Sequence, residues 1–324
     1  GLLANDDPVA EYNRRSAAYL IGQNFNECVT YSLRPSAEIA MWAGEAAVEP
    51  LGLDNPFVED QSHLRSTLIS GLLDTLKLNQ SRGNAVSRLF ETGRVFIPQK
   101  EGVVECAAVG FVIAADSTAA WKDRELSDFY TTKRLIETLA HNAGVDLSRQ
   151  PHLPAESPAS AGWQEGQHTL QGDMRYGWKA CFGLLDLTGL KARGIEGKVL
   201  GGLFAILPER LKSGGKRKRF QPFSLQPAAL RDIALIVPQT ATAGDVLKDL
   251  SKAARDVTPK SFALEDINLF DVYEGKGLPE DAKSLAFTLK FRAADRTLKD
   301  DEVNQTFNAL LEKIAVKEGY EIRQ

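Results

Sequence analysis

Cysteine, histidine and methionine are scarce in this sequence: 3, 4 and 2 among 324 residues. Cys28, Cys106 and Cys181 are odd in number and far apart, each inside an apolar run. Disulfide frameworks and zinc sites need clustered spacing, so no metal site is expected. The three read as buried free thiols of a reducing cytosol, and the chain as cytoplasmic. His63, His141, His152 and His168 share no metal or triad spacing; His63 reads as a solvated residue at a helix start. No GxSxG, P-loop or HExxH sequence occurs. No apolar run approaches the roughly 20 residues that span a bilayer, so no membrane partner is expected. Gly1 to Asp7 is neither basic nor apolar enough for a signal peptide, and an initiator Met is lacking. It reads as the cut end of a larger protein or as a processed terminus. An excess of positive charge is lacking too. The formal net charge is −4, so no DNA partner is expected and any RNA contact must be local.

What is present is ordinary for a globular protein: 43% hydrophobic and 25% charged residues, in a length that suits two or three domains. Asp7-Pro8 predicts a helix start, with the helix running to about Gln23. Glu27 to Leu33 alternates as a strand, with Cys28 on one side and Tyr31 and Leu33 on the other. Leu64, Leu68, Leu72 and Leu76 recur every four residues and predict a helix from about Ser62 to Gln80. Ser87 to Ile97 and Val103 to Ala115 read as strands joined by a turn. A helix from Leu126 to Ala143 follows, then strands Trp178 to Leu185 and Val199 to Leu207.

The run from Ser213 to Arg219 holds two glycines and four like charges, which makes 213–222 a linker between domains 1–212 and 223–324. Its cations, Lys216 to Arg219, read as a solvated tether. The tail then shows strand (Asp232 to Val237), helix (Thr242 to Ala254) and strand (Phe262 to Tyr273). A second strand (Leu285 to Arg292), helix (Lys299 to Lys317) and strand (Tyr320 to Arg323) follow. That order predicts a ferredoxin-like βαββαβ domain. The whole is α+β. Fold alone supplies no function.

Some stretches carry more than periodicity. Asn268 to Gly277, Lys283 to Ala286, Phe291-Arg292, Arg296-Thr297-Leu298 and Asp301-Glu302-Val303 follow one another in order. Pro227 precedes Arg231-Asp232-Ile233-Ala234. This tail is similar to the ferredoxin-fold anticodon-binding domain that ends bacterial phenylalanyl-tRNA synthetase beta chains. Upstream, Leu64 to Leu68, Gly71-Leu72-Leu73, Asn79 to Arg82, Leu89 to Phe96 and Asp128-Phe129-Tyr130 with Lys133 resemble the catalytic-like module of the same subunit. The resemblance covers nearly the whole chain and is weakest between His141 and Gln171. It implies a class II synthetase-like antiparallel sheet module with helices, followed by the ferredoxin-like domain.

The resemblance also implies partners: an alpha subunit in an alpha2beta2 heterotetramer, and tRNA(Phe). The complete enzyme uses ATP and magnesium; this chain is expected to bind no cofactor and to lack catalytic residues. Phe90 to Arg94 resembles one class II strand. The Gly-rich strand ending in an Arg that clamps ATP is not found, and Leu200 to Phe204 carries no Arg. The family's RNA-binding module, editing domain and acidic magnesium cluster do not precede Gly1, so neither editing nor magnesium ligands are expected here. A stand-alone RNA-binding or scaffolding relative is the alternative.

Candidate residues keep their plainer readings beside the functional ones. Arg65, Asn79, Arg82 and Glu91 are candidates for the subunit interface. Arg65 and Glu91 could equally be an internal pair or surface charges, and Asn79 and Arg82 a helix cap. Residues 220–324 hold 14 basic and 17 acidic side chains, a net charge of −3. Within that domain Arg231, Lys276, Lys283, Arg292 and Arg296 lie at strand ends and in the turn, where binding groups concentrate. They are the tRNA candidates. Phe223 and Tyr273 are candidate base-stacking platforms or packed core rings. Where family members carry basic and Phe residues, this chain has Leu225, Gln226 and Leu230.

Overall fold

The computed structural model describes residues 7–43, 51–84, 88–99, 102–114, 127–147, 162–211 and 223–323. The linker expected at 213–222, His152, and the element ends expected at Ser87, Ala115 and Leu126 lie outside them. The chain forms two compact units, Gly1–Arg217 and Lys218–Gln324.

In the first unit, Asp7 caps α1 (Pro8–Ile21) by accepting from the Val9 amide at 3.1 Å. Then come β1 (Asn26–Glu27), β2 (Leu33–Arg34), α2 (Ser36–Ala43), β3 (His63–Leu64), α3 (Ile69–Ser81), β4 (Arg88–Gln99) and β5 (Gly102–Ala114). They are followed by α4 (Phe129–Asn142), β6 (Trp163–Asp173), β7 (Trp178–Leu185), α5 (Leu187–Ala192) and β8 (Val199–Ile206). Six strands make one sheet in the order β1-β4-β5-β8-β7-β6, antiparallel except for β1 against β4.

Both faces of this sheet are covered. On one, α1 and α4 place Tyr12, Leu20, Leu135, Ile136 and Leu139 against Phe90, Phe111, Phe182 and Phe204. On the other, Leu68, Ile69, Leu72, Leu73 and Leu76 meet Leu89, Val95, Val112 and Leu203. Burial on both sides explains why the central strands read as unbroken apolar runs rather than alternating ones; every residue of β8 is buried.

Two expected elements differ. Glu27 to Leu33 is not one strand: pairing lapses after Glu27, although the Cys28 amide still donates to Phe90 O at 2.7 Å. Thr30 turns inward, where its hydroxyl donates to Glu91 at 2.7 Å. The helix expected from Ser62 starts only at Ile69. Leu64 pairs with Leu33, and Arg65 spends its backbone on Ser32 and Phe96, so neither is available to a helix. Strand β6 has no counterpart among the expected elements; it is a sheet edge rich in polar residues, irregular between Trp163 and His168, with Gly166 and Gly172 at positive φ.

The second unit runs β9 (Ala229–Pro238), α6 (Ala243–Val257), β10 (Ala263–Tyr273), β11 (Ala282–Arg292), α7 (Asp300–Ala315) and β12 (Glu321–Ile322). Its sheet order is β10-β11-β9-β12, antiparallel throughout. This is the predicted split βαββαβ arrangement. Thr242 caps α6 by accepting from the Asp245 amide. Leu235, Val237, Phe287, Leu289 and Phe291 form a core with Val246, Leu250, Val303 and Leu310 of the two helices.

Candidate functional site

The first-unit candidates collapse into one buried knot. Arg65 Nη1 lies 2.8 Å from Glu91 Oε1, and the residues are 5% and 2% exposed. Arg65 Nε donates to Arg94 O at 3.0 Å, and Nη1 also reaches Thr30 Oγ1 at 3.1 Å. The Thr30 hydroxyl and amide both donate to Glu91. Arg65 Nε and Nη1 and both Glu91 carboxylate oxygens are thus hydrogen-bonded inside the unit, as a buried pair requires. Two glycines make the room. A Cβ on Gly93 would stand 2.6 Å from Arg65 Nη2, and one on Gly71 would stand 2.2 Å from Thr30 Oγ1. The run Glu91-Thr92-Gly93-Arg94 is therefore a folding device. Of the readings kept open for Arg65 and Glu91, the structure has the internal pair, with almost no side-chain surface exposed. Sequence reasoning misses Thr30; the only signal for it is the small residue Gly71 in a leucine-striped segment.

Asn79 and Arg82 follow the plainer reading. The Asn79 side chain donates to Thr75 O at 2.9 Å and accepts from Asn84, while its carbonyl accepts from the Arg82 and Asn84 amides. They close the C-terminus of α3, and the Arg82 side chain points to solvent.

Along Leu200 to Phe204 the sheet is filled on the side of α4. A Cβ on Gly202 would meet the Phe111 ring at 2.4 Å and Ile136 Cδ1 at 3.0 Å. The glycine admits packing from α4 rather than a ligand. The three cysteines are free, and burial pushes the thiols up, to about 12 in Cys106 and about 11 in Cys181. Among the described residues no group of three His, Cys, Asp or Glu is placed to hold a metal.

In the second unit the five cations divide between the two ends of the sheet. Arg231, Arg292 and Arg296 lie at one end. Lys283, which pairs with Val237, lies at the other with Lys276 in the adjoining turn. The arginines are already engaged. Arg231 donates to Asp300 and Asn304 and holds the start of α7. Arg292 binds Glu265 at 2.6 Å and Gln226 O. Arg296 grips both oxygens of Glu302, whose carboxyl also accepts from the Lys299 amide. Arg296 first, then that amide, lower the Glu302 carboxyl to about 2. Arg231 and Arg292 also face opposite ways: Arg231 is paired with buried Leu289, whereas Arg292 follows buried Phe291.

The lysines are less committed. Lys283 Nζ donates to Gln239 O at 2.9 Å. Lys276 has no carboxylate partner among the described residues; its carbonyl accepts from the Tyr273 hydroxyl at 3.0 Å. Neither candidate ring is core. Tyr273 is 36% exposed and has the Arg323 guanidinium 5.0 Å from its centroid, while Phe223 is 73% exposed. Gln226, one of the departures, holds the domain entry, with its carbonyl on Arg292 and its side chain on Thr297. Leu225 and Leu230 are exposed.

The class is α+β: a mostly antiparallel sheet covered on both faces, followed by a ferredoxin-like βαββαβ unit with cations at both ends of its sheet. Residues 3–167 match the family described as the phenylalanyl tRNA synthetase beta chain CLM domain, and residues 224–323 match the ferredoxin-fold anticodon binding domain. The chain belongs to the phenylalanyl-tRNA synthetase beta chain family. It is similar to the phenylalanine–tRNA ligase beta subunit of Bacillus cereus, at 27% identity over 96% of this chain and 38% of that protein. It is 32% identical to that of Pseudomonas fluorescens over 90% of this chain and 35% of that protein. To that of Thermosynechococcus vestitus it is 34% identical, over 81% and 32%. The chain therefore spans under two-fifths of the length of these relatives. Among solved structures, a pyrrolysyl tRNA synthetase of Desulfitobacterium hafniense is similar at 15% identity and a TM-score of 0.42, over 61% of this chain and 64% of that one.

Proposed function

We propose that this chain is the part of a bacterial phenylalanine–tRNA ligase beta subunit that supports the alpha subunit and contacts tRNA(Phe) through residues 223–324. The observation that carries the reading is the order of the two family matches within one chain, module first and anticodon-binding fold second. Chemistry belongs to the alpha subunit in an alpha2beta2 assembly, with ATP and magnesium used there, in the cytoplasm. No described helix is long and apolar enough to cross a membrane. The filled sheet above Gly202 supports a module without catalysis of its own. One observation favours the scaffolding alternative: all three candidate arginines are engaged within the fold.

The test is reconstitution. The chain should co-purify with a cognate alpha subunit, and alone it should give no phenylalanine-dependent exchange of pyrophosphate into ATP. Exchange by the pure chain would overturn the absence of catalysis. Failure to engage any alpha subunit would favour the scaffold.

A further inference from the structure

The second unit holds an open cavity of about 650 Å³ whose lining includes one of the five candidate cations, Arg292. It lies beside the first residues of β10. It is lined by Phe223, Lys260, Ser261 and Arg292, with the buried Phe262 as its floor. Phe262 is 7% exposed, and its ring stands edge-on to Phe291, so the floor is rigid. Phe223 by contrast offers a ring to solvent. Lys260 has no carboxylate partner among the described residues. Glu265, the one acid in the lining, is engaged by Arg292 and Lys290, which hold its carboxyl below the usual range. It therefore presents little unbalanced negative charge to an anion.

An exposed aromatic face and an ammonium with no carboxylate partner among the described residues, around one cavity, suit a single nucleotide: base on ring, phosphate on lysine. We propose that this cavity is a second single-stranded RNA subsite, taking one nucleotide with its base on Phe223 and its phosphate at Lys260. The proposal rests on the reading of the tail as a tRNA-binding unit. It is distinct from a platform at Tyr273. Ala263 and Tyr273 are the two ends of β10, an 11-residue strand, which separates them by roughly 30 Å. Two stacking sites that far apart hold different parts of an RNA, so the nucleotide at Phe223 lies away from any nucleotides stacked at Tyr273.

The full chain with Phe223→Trp provides the direct readout. A tRNA(Phe) transcript should quench the new indole saturably, over the response of the native tryptophans. Phe223→Ala should weaken binding roughly 5- to 150-fold, the range for one lost base stack. Phe223→Leu keeps the apolar bulk without the aromatic face and should behave like the alanine variant. Lys260→Ala should flatten the salt dependence by about 0.7 of a log unit per log unit of salt. Full affinity in Phe223→Ala or Phe223→Leu, beside weakened binding in Tyr273→Ala, would overturn the subsite and leave the tRNA reading standing. No binding by the unaltered chain would remove both. Shielding of the introduced indole by the alpha subunit and not by RNA would reassign the cavity to protein contact.

Discussion

Arg65 and Glu91 face each other 2.8 Å apart inside the first unit, and Thr30 is hydrogen-bonded to both. A buried pair adds little over a well-packed apolar substitute, but half a pair is costly because it leaves a charge without water or partner. Glu91→Ala should therefore destabilise the unit by about 3–5 kcal/mol, read as a lower urea midpoint. Replacing both partners, Arg65→Met with Glu91→Leu, should recover much of that loss. If the single variant unfolds at the parent midpoint, the pair is not the knot described.

Gly202 supports a second prediction. Its missing side chain is occupied by Phe111 from the neighbouring strand and Ile136 from α4. Gly202→Ala should cost about 1–3 kcal/mol by overpacking. Phe111→Leu in the same chain should relieve part of that cost. The two changes are expected to be non-additive in thermal unfolding, as neighbours in contact are. Simple additivity would mean that the ring moves aside freely.

Acid should weaken the second unit through Glu302. Its carboxyl lies at about 2 in the folded chain against an ordinary 4.5. A depressed folded value stabilises above the unfolded value, and the contribution disappears as pH falls through the folded one. The loss should fall between about pH 4.5 and pH 2, the two values just given. Glu302→Gln should be less stable at neutral pH and should show a flatter acid limb in that window. An unchanged acid limb would place the carboxylate's value near normal.

The ferredoxin-like unit was legible because its strands alternate and its helices carry clear apolar stripes; Leu285 to Arg292 and Val303 to Ile314 each show one period. Ser62 to Leu68 misled because Leu64 and Leu68 fit a helical period by spacing alone. The backbone of that segment is claimed by Ser32, Leu33 and Phe96, partners distant in sequence. Burial on both faces removed alternation from β5 and β8, so periodicity located those strands but did not give their orientation. Candidate cations were legible as residue types at strand ends. Their engagement was not, since Arg292 meets Glu265 across two strands and Arg231 meets Asp300 across the fold.

That engagement sharpens the expectation for tRNA binding. Arg231 and Arg296 hold the entry to α7 through Asp300, Asn304 and Glu302. Removing either arginine should lower the melting temperature of the second unit and change RNA binding little at temperatures where the fold persists. Lys276 and Lys283 have no carboxylate partner among the described residues, and they lie at the turn end of the β10–β11 hairpin, near Tyr273. With a domain net charge of −3, these ammonium groups act only at short range, about 8 Å in physiological salt. Each phosphate contact they make contributes somewhat under one unit to the salt slope. Lys276→Ala with Lys283→Ala should therefore weaken tRNA(Phe) binding at low salt and flatten its salt dependence by about one to two units, with the melting temperature unchanged. Filter binding across a salt series, beside thermal melts of the same variants, separates the two groups. An unchanged slope in the double lysine variant would remove the hairpin end from the RNA surface. If the slope instead fell in Arg231→Ala or Arg296→Ala at full folding, the arginines would exchange their carboxylates for phosphate on binding, and the opposite end of the sheet would be the contact.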